Sequence, residues 1–202
     1  AHYLCEQAAA LTTAGDHEGA TRLLRQAIED APQSARPRIQ LATLQRSHGQ
    51  DDAALKTLQA LMQAVPGATP LVAVSLAETA LACKQAAAAL ALLRTSYEQV
   101  PALDTMEAIV RLEAASSGDG REGYIRHLEH EPSLIAAARW IAGEKLEHDQ
   151  FHPLVQRALD HAVKPLSRYR CAACGFEAKD HFWQCPGCQA WDSYPARRVE
   201  EL

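Results

Sequence analysis

Aromatic residues are scarce in this chain: 11 of 202, and six of those fall after residue 168. Glycine is scarce too, at ten residues. Against these stand 39 alanines. An alanine-rich sequence poor in glycine and β-branched residues reads as helix packed closely on helix. Basic residues are in no excess, with 20 Lys and Arg against 25 Asp and Glu and a formal charge of −5. Nucleic acid and anionic membrane are therefore not expected partners. The longest alanine–leucine stretch, near Ala86 to Leu93, falls short of the roughly 18 apolar residues a membrane span needs. The opening AHYLCEQAAAL has no initiator Met and no charged-then-apolar leader pattern. It starts as if inside a helix, so the chain is expected to be a soluble piece of something longer. A hydrophobic content of 48% with 22% charged residues excludes a disordered segment.

What the chain does have is an internal repeat. A shift of 34 places Ala8 on Ala42, Gly15 on Gly49, Ala20 on Ala54, Leu24 on Leu58 and Pro32 on Pro66. Further shifts of 35 and 31 reach Ala77, Ala89, Leu93 and Pro101, then Ala108, Gly120, Tyr124 and Pro132. Small residues at matched places let two antiparallel helices approach. The glycines end the first helix of each pair in a left-handed conformation, and the prolines stop the second. The period and the small residues resemble the tetratricopeptide repeat, well over 1–68, less so over 69–101, and in degenerate form over 102–132. Residues 133–147 and 150–164 read as one more helical pair, with Trp140, Ile141, Leu154, Val155 and Leu159 as core. Such hairpins cannot bury their apolar faces alone and are expected to stack into a right-handed solenoid. In that family the first helices line a concave groove for other proteins. The matching positions on helix 35–48 are Arg36, Ile39, Thr43 and Arg46.

The tail, RYRCAACGFEAKDHFWQCPGCQAWDSYP, is built differently. Cys171-x2-Cys174 and Cys185-x2-Cys188 are separated by ten residues. Gly175 follows the first pair, and Pro186-Gly187 sit inside the second. Two thiolates on each tight turn, facing across a short hairpin, make a closed tetrahedral sulfur site for zinc or a single iron. Disulfides would suit an exported chain, which nothing here indicates, and Cys5 and Cys83 read as unpaired helix-face thiols. A domain of under about 40 residues needs such a metal for its stability. The knuckles resemble rubredoxin, although Gln189 replaces the usual glycine after the second pair and the segment between knuckles is short. Five basic and five acidic residues over 165–202 leave no positive excess for phosphate. Phe182, Trp183, Trp191 and Tyr194 are expected on the hydrophobic side of the knuckles, packed on the last helices.

Other motifs carry nothing. Gly118-x-Gly120-x-x-Gly123 lies between the helices of a hairpin, not after a strand, and is a turn. The pairs His127/His130 and His148/His152 lack the HExxH pattern, and no Ser-His-Asp or paired-carboxylate set is recognisable.

Helical repeats running directly into RYRCAACGF…WQCPGCQAW resemble the lipopolysaccharide assembly protein B family of Gram-negative bacteria. The resemblance implies a mainly α fold: tetratricopeptide-type repeats over 1–132, a closing helical pair over 133–167, and a rubredoxin-like or zinc-ribbon metal domain over 168–202. It implies an adaptor, not an enzyme, on the cytoplasmic side of the inner membrane, anchored by an N-terminal helix not contained in this sequence. Its partners would be the deacetylase that commits lipid A synthesis and a membrane-bound ATP-dependent protease. It implies iron on Cys171, Cys174, Cys185 and Cys188, where base rates for a closed four-sulfur site outside redox chains favour zinc. A rubredoxin-like electron carrier and a generic repeat scaffold with a structural zinc are the rival readings, and homo-oligomerisation stays open.

Overall fold

A computed structural model describes residues 1–145 and 149–202. Among the described residues there are ten α-helices and one two-stranded sheet. They form two compact units, residues 1–92 and 93–202, and the boundary falls inside α6 (Ala86–Gln99).

The first unit is built of helical hairpins. Helix α1 (His2–Thr13) packs on α2 (His17–Asp30), and α3 (Ala35–Ser47) packs on α4 (Asp51–Ala64). Contacts of α3 with both α1 and α2, and of α4 with α5 (Thr69–Ala82), join successive pairs. The repeat alignment explains why they pack. Ala8, Ala20, Ala42, Ala54, Ala77 and Ala89 are all buried, so each hairpin closes on methyl groups. Around Ala8 and Ala20, the side chains of Cys5, Leu24, Ala27, Leu41 and Leu44 form a continuous apolar cluster, with no single hairpin supplying all of it. Pro32 and Pro66 each follow a second helix, at Asp30 and Ala64, as their missing N–H requires.

The turns show the same chemistry three times. Gly15 donates to Thr12 O and Asp16 to Leu11 O; Gly49 donates to Arg46 O and Gln50 to Gln45 O. Lys84 donates to Leu81 O and Gln85 to Ala80 O. Each is a helix end closed by a left-handed residue, which satisfies carbonyls left over by the helix. Gly15 and Gly49 take φ of 84° and 69° without a Cβ to object. Lys84 takes 56° and does have one.

The second unit holds α7 (Leu103–Ser117), α8 (Glu122–His130), α9 (Leu134–Ile141), α10 (His152–Leu166) and the tail. Helices α7 to α10 pack in sequence order. The expected turn covers only Gly118 to Arg121: Gly118 ends α7 at φ 82°, and Gly123 already lies in the first turn of α8. A methyl group on Gly120 would sit 2.3 Å from Val110 O, so this hairpin closes on bare backbone where the others close on alanine. Within the unit, buried His127 and Tyr97 share a 2.6 Å hydrogen bond, Nδ1 to hydroxyl. That contact makes His127 a core residue.

Two expectations for the closing pair are corrected. Helix α9 is only eight residues long, and residues 146–148, including His148 of the second histidine pair, lie outside the described residues. Leu154 and Val155 are not core: they are 56% and 43% exposed, beside exposed Phe151. Helix α10 meets α9 through the opposite side, where Gln156 and Val163 lie. Trp140, Ile141 and Leu159 are half-buried. No described helix is long and apolar enough to cross a membrane.

Lys84 gives a direct test of the repeat register. The left-handed conformation costs a side-chain-bearing residue about 1–2 kcal/mol, and glycine's extra freedom in the unfolded chain returns about half of that. Lys84→Gly should therefore raise stability in urea denaturation by about 0.5–1 kcal/mol. A loss of stability would contradict the assignment of Lys84 to the glycine position.

Candidate metal centre

The tail begins with β1 (Tyr169–Arg170), paired antiparallel with β2 (Glu177–Ala178), Tyr169 opposite Ala178 and Arg170 opposite Glu177. This short ribbon carries the first knuckle at its turn. Cys171 N donates to Phe176 O at 2.9 Å and Gly175 N to Cys171 O at 2.9 Å. The second knuckle repeats the pattern: Cys185 N donates to Ala190 O and Gln189 N to Cys185 O, both at 2.8 Å. The two turns are thus built alike, each with a left-handed residue after its second cysteine, Gly175 at φ 77° and Gln189 at 61°. The departure from glycine at 189 changes the residue and keeps the turn.

Both turns aim their thiols at one point. All four Sγ atoms lie within 4.8 Å of one another. Cys171 and Cys188 are 3.9 Å apart, Cys174 and Cys185 3.7 Å. A tetrahedron with metal–sulfur bonds of about 2.3 Å has edges of roughly 3.8 Å, so the four sulfurs suit one metal ion. Cys171 and Cys185 are buried, while Cys174 and Cys188 face outward. The Ser193 hydroxyl, 3.2 Å from Cys171 Sγ, together with the N–H groups of Cys174 and Ala173, pulls the Cys171 thiol down to about 6 against the effect of burial. Although the N–H of Phe176 favours its thiolate, Cys174 is pushed up to about 12 by Cys188 and by burial, with Cys185 and Cys171 adding to the effect. Four sulfurs this close cannot all be thiolates unless a cation sits among them. A metal ion held by these residues would supply that charge, closing a structural site rather than leaving an open coordination position.

Around the sulfurs, Tyr194 is buried and donates its hydroxyl to Phe176 O at 3.2 Å. Its carbonyl lies 3.0 Å from His181 Nε2, and the His181 ring stacks edge-on with Tyr169 and Trp183. The expected aromatic packing is therefore only partly present. Phe182 and Trp191 remain 38% and 41% exposed, because Tyr194 and His181 fill the space beneath the knuckles.

The tail is fastened to its own unit by residues 198–201, which sequence reasoning counted only as charges. Arg198 donates from Nε and Nη2 to both oxygens of Asp104 at the start of α7, at 2.8 and 2.9 Å. Its third donor, Nη1, reaches Ser167 O at 2.9 Å, and the guanidinium lies 4.2 Å over the Tyr169 ring. Glu201 accepts from Leu103 N at 2.9 Å, and Glu200 from Leu134 N at 2.6 Å and the Ser133 hydroxyl at 2.7 Å. Two carboxylates thus take up orphan N–H groups at the starts of α7 and α9, where the helix dipole also favours negative charge. No linear signal could have found these bonds, since they span 66 to 98 residues.

The positions read as a partner groove divide into two sets. Ile39 and Thr43 line a mostly apolar cavity of about 410 Å³ with Ala8, Thr12 and Ser47. Arg36 is buried and directed at α1, pairing with Glu6 and donating to His2 Nδ1 at 3.3 Å. Arg46 donates to Ser75 Oγ at 3.1 Å and lies 3.6 Å from Glu78 on α5. The two arginines thus link α3 to the helices on either side.

Fold and site together define a tetratricopeptide-repeat protein carrying a rubredoxin-type four-cysteine domain. Comparison with known proteins agrees. Residues 11–77 match the tetratricopeptide repeat model, and residues 169–194 match the model described as a rubredoxin metal binding domain. Over 214 residues, and all of this chain, the sequence is 25% identical to lipopolysaccharide assembly protein B of Escherichia coli K12. Over 85% of the chain it is 24% identical to the protein of that name from Haemophilus influenzae. The resemblance read from the sequence therefore holds along its whole length. The chain spans about half the length of these relatives, 54% and 45%. In fold it is similar to MamA (41-end) from Desulfovibrio magneticus RS-1, with a TM-score of 0.51 at 13% identity over 81% of this chain and 96% of that one.

The Arg198–Asp104 pair should be the main energetic tie of the tail. Its side chains are only 24% and 12% exposed, so Arg198→Met strands a carboxylate and should cost about 2–3 kcal/mol. Adding Asp104→Asn should recover about half of that in urea denaturation. A change under about 0.5 kcal/mol for Arg198→Met would show the pair to be incidental.

Proposed function

We propose that this chain is the partner-binding and metal-bearing part of an adaptor that regulates lipopolysaccharide synthesis at the cytoplasmic face of the inner membrane. In this reading it performs no catalysis. It brings the deacetylase of the committed lipid A step to a membrane-bound ATP-dependent protease. The observation that carries the reading is similarity to lipopolysaccharide assembly protein B across repeats and four-cysteine tail in the same order. Function divides along the chain as the sequence suggests: repeats over 1–132 present the groove, 133–167 closes the array, and 168–202 holds metal on Cys171, Cys174, Cys185 and Cys188. The groove engages a partner through Ile39 and Thr43, where the lining is mostly apolar, with Arg36 and Arg46 flanking. The metal is structural. It keeps residues 198–201 in place and with them the starts of α7 and α9.

Retention of partners from solubilised bacterial membranes tests this. The metal-loaded chain should retain the deacetylase and the protease, while Cys185→Ser should lose its metal and retain at least about tenfold less. A Cys185→Ser variant that is metal-free yet retains both partners fully would contradict the adaptor role of the tail. A coloured centre that cycles reversibly between two oxidation states, in a chain that retains neither partner, would replace it with electron transfer.

A further inference from the structure

The second unit contains a cleft that the metal centre does not account for. It measures about 630 Å³ and lies between α9, α10 and the tail. Four cations from four different places line it: Arg139 on α9, Lys164 in the last turn of α10, Arg168 ahead of β1, and Lys179 just after β2. The one carboxylate on its wall is Asp160, whose Oδ1 already accepts a 2.8 Å hydrogen bond from Gln156 Nε2. Among the described residues none of the four cations has an ion-pair partner. That is unexpected in a chain with 25 acidic residues and a net charge of −5.

A second observation points the same way. Arg168 Nε is buried and has no hydrogen-bond partner in the protein. Folded proteins rarely leave a buried guanidinium N–H without an acceptor, and an anion in the cleft would supply one. Ile135 and Val163 add apolar lining to the cleft, which lowers the local dielectric and strengthens attraction for an anion. The volume lies in the range of small-molecule sites, about 300–1,000 Å³, and exceeds what a lone phosphate fills. Four cations less one carboxylate leave a surplus of three positive charges. A single carboxylate ligand cannot balance that surplus, and two linked phosphates can.

We infer that this cleft binds a small diphosphate-bearing molecule, with Arg168, Lys164, Lys179 and Arg139 holding its phosphate oxygens. Arg168 and Lys179 lie on either side of the first knuckle, so the metal that orders the knuckle also sets two of the four cations in place. Ligand binding then depends on the metal. The inference stands apart from the adaptor reading, because either can fail alone.

Calorimetric titration of inorganic pyrophosphate into the metal-loaded chain tests it. Saturable binding is expected, weakened about tenfold or more by Arg168→Gln and by Lys164→Gln. Lys164 sits on α10 and serves as the second variant should Arg168→Gln shed its metal. Arg22→Gln, in the first unit, should bind as the unaltered chain does. Sulfate at equal ionic strength should not compete. Absence of saturable binding, equal affinity in Lys164→Gln, or full competition by sulfate would overturn the inference.

Discussion

Four sulfur atoms within 4.8 Å are tolerable as thiolates only around a cation, and much of the second unit hangs on that condition. The two knuckles have little else to hold them. The first has a two-residue strand pair, the second one isolated bridge between Gln184 and Trp191, and a small aromatic cluster lies under Tyr194. Segments this short bury too little apolar surface to fold unaided. A metal held there would thus be a folding element, and the outward Cys174 and Cys188 put half of the ligand set at the surface.

What the knuckles hold is the last turn of the chain, and that turn acts at a distance. Val199 N donates to Arg168 O at 2.7 Å, which lays residues 198–201 back along the entry to β1. From there Glu200 and Glu201 serve as caps for helices that lack adequate caps of their own. At α7 the residue before the first turn is Ala102, which has no side-chain oxygen to offer. Ser133 caps α9 by accepting from Ala136 N, yet leaves Leu134 and Ile135 N–H to Glu200. Burial raises the Glu201 carboxyl, and the N–H groups of Arg198 and Leu103 act against it. The caps, the Arg198–Asp104 pair and the Tyr169 ring form one connected set, so loss of any member loosens the others.

The helical hairpins were legible in the sequence because their cause is local and periodic. Alanine at matched positions, glycine at the turns and proline after each pair are all visible in one strand of text. So was the ligand set, since paired thiols on tight turns leave a spacing. Lys84 and Gln189 show the limit of such reading: the conformation persists after the residue that signals it has gone, because the hydrogen bonds of the turn hold it. Leu154 and Val155 show another. Their helical spacing announces an apolar face, but only packing decides which face is covered, and here α9 lies against the other side of α10. The caps from Glu200 and Glu201 had no signal at all, since charge counting sees them only as two of five acidic residues over 165–202.

A metal on the four cysteines would act through the last turn on the helix starts of the second unit. Amide hydrogen exchange of the full chain, with metal bound and after its removal by a chelator, tests this most directly. Leu103, Leu134 and Ile135 should lose protection with the metal, while amides of residues 1–92 keep theirs. Unchanged protection at Leu103 and Leu134 in the metal-free chain would contradict it.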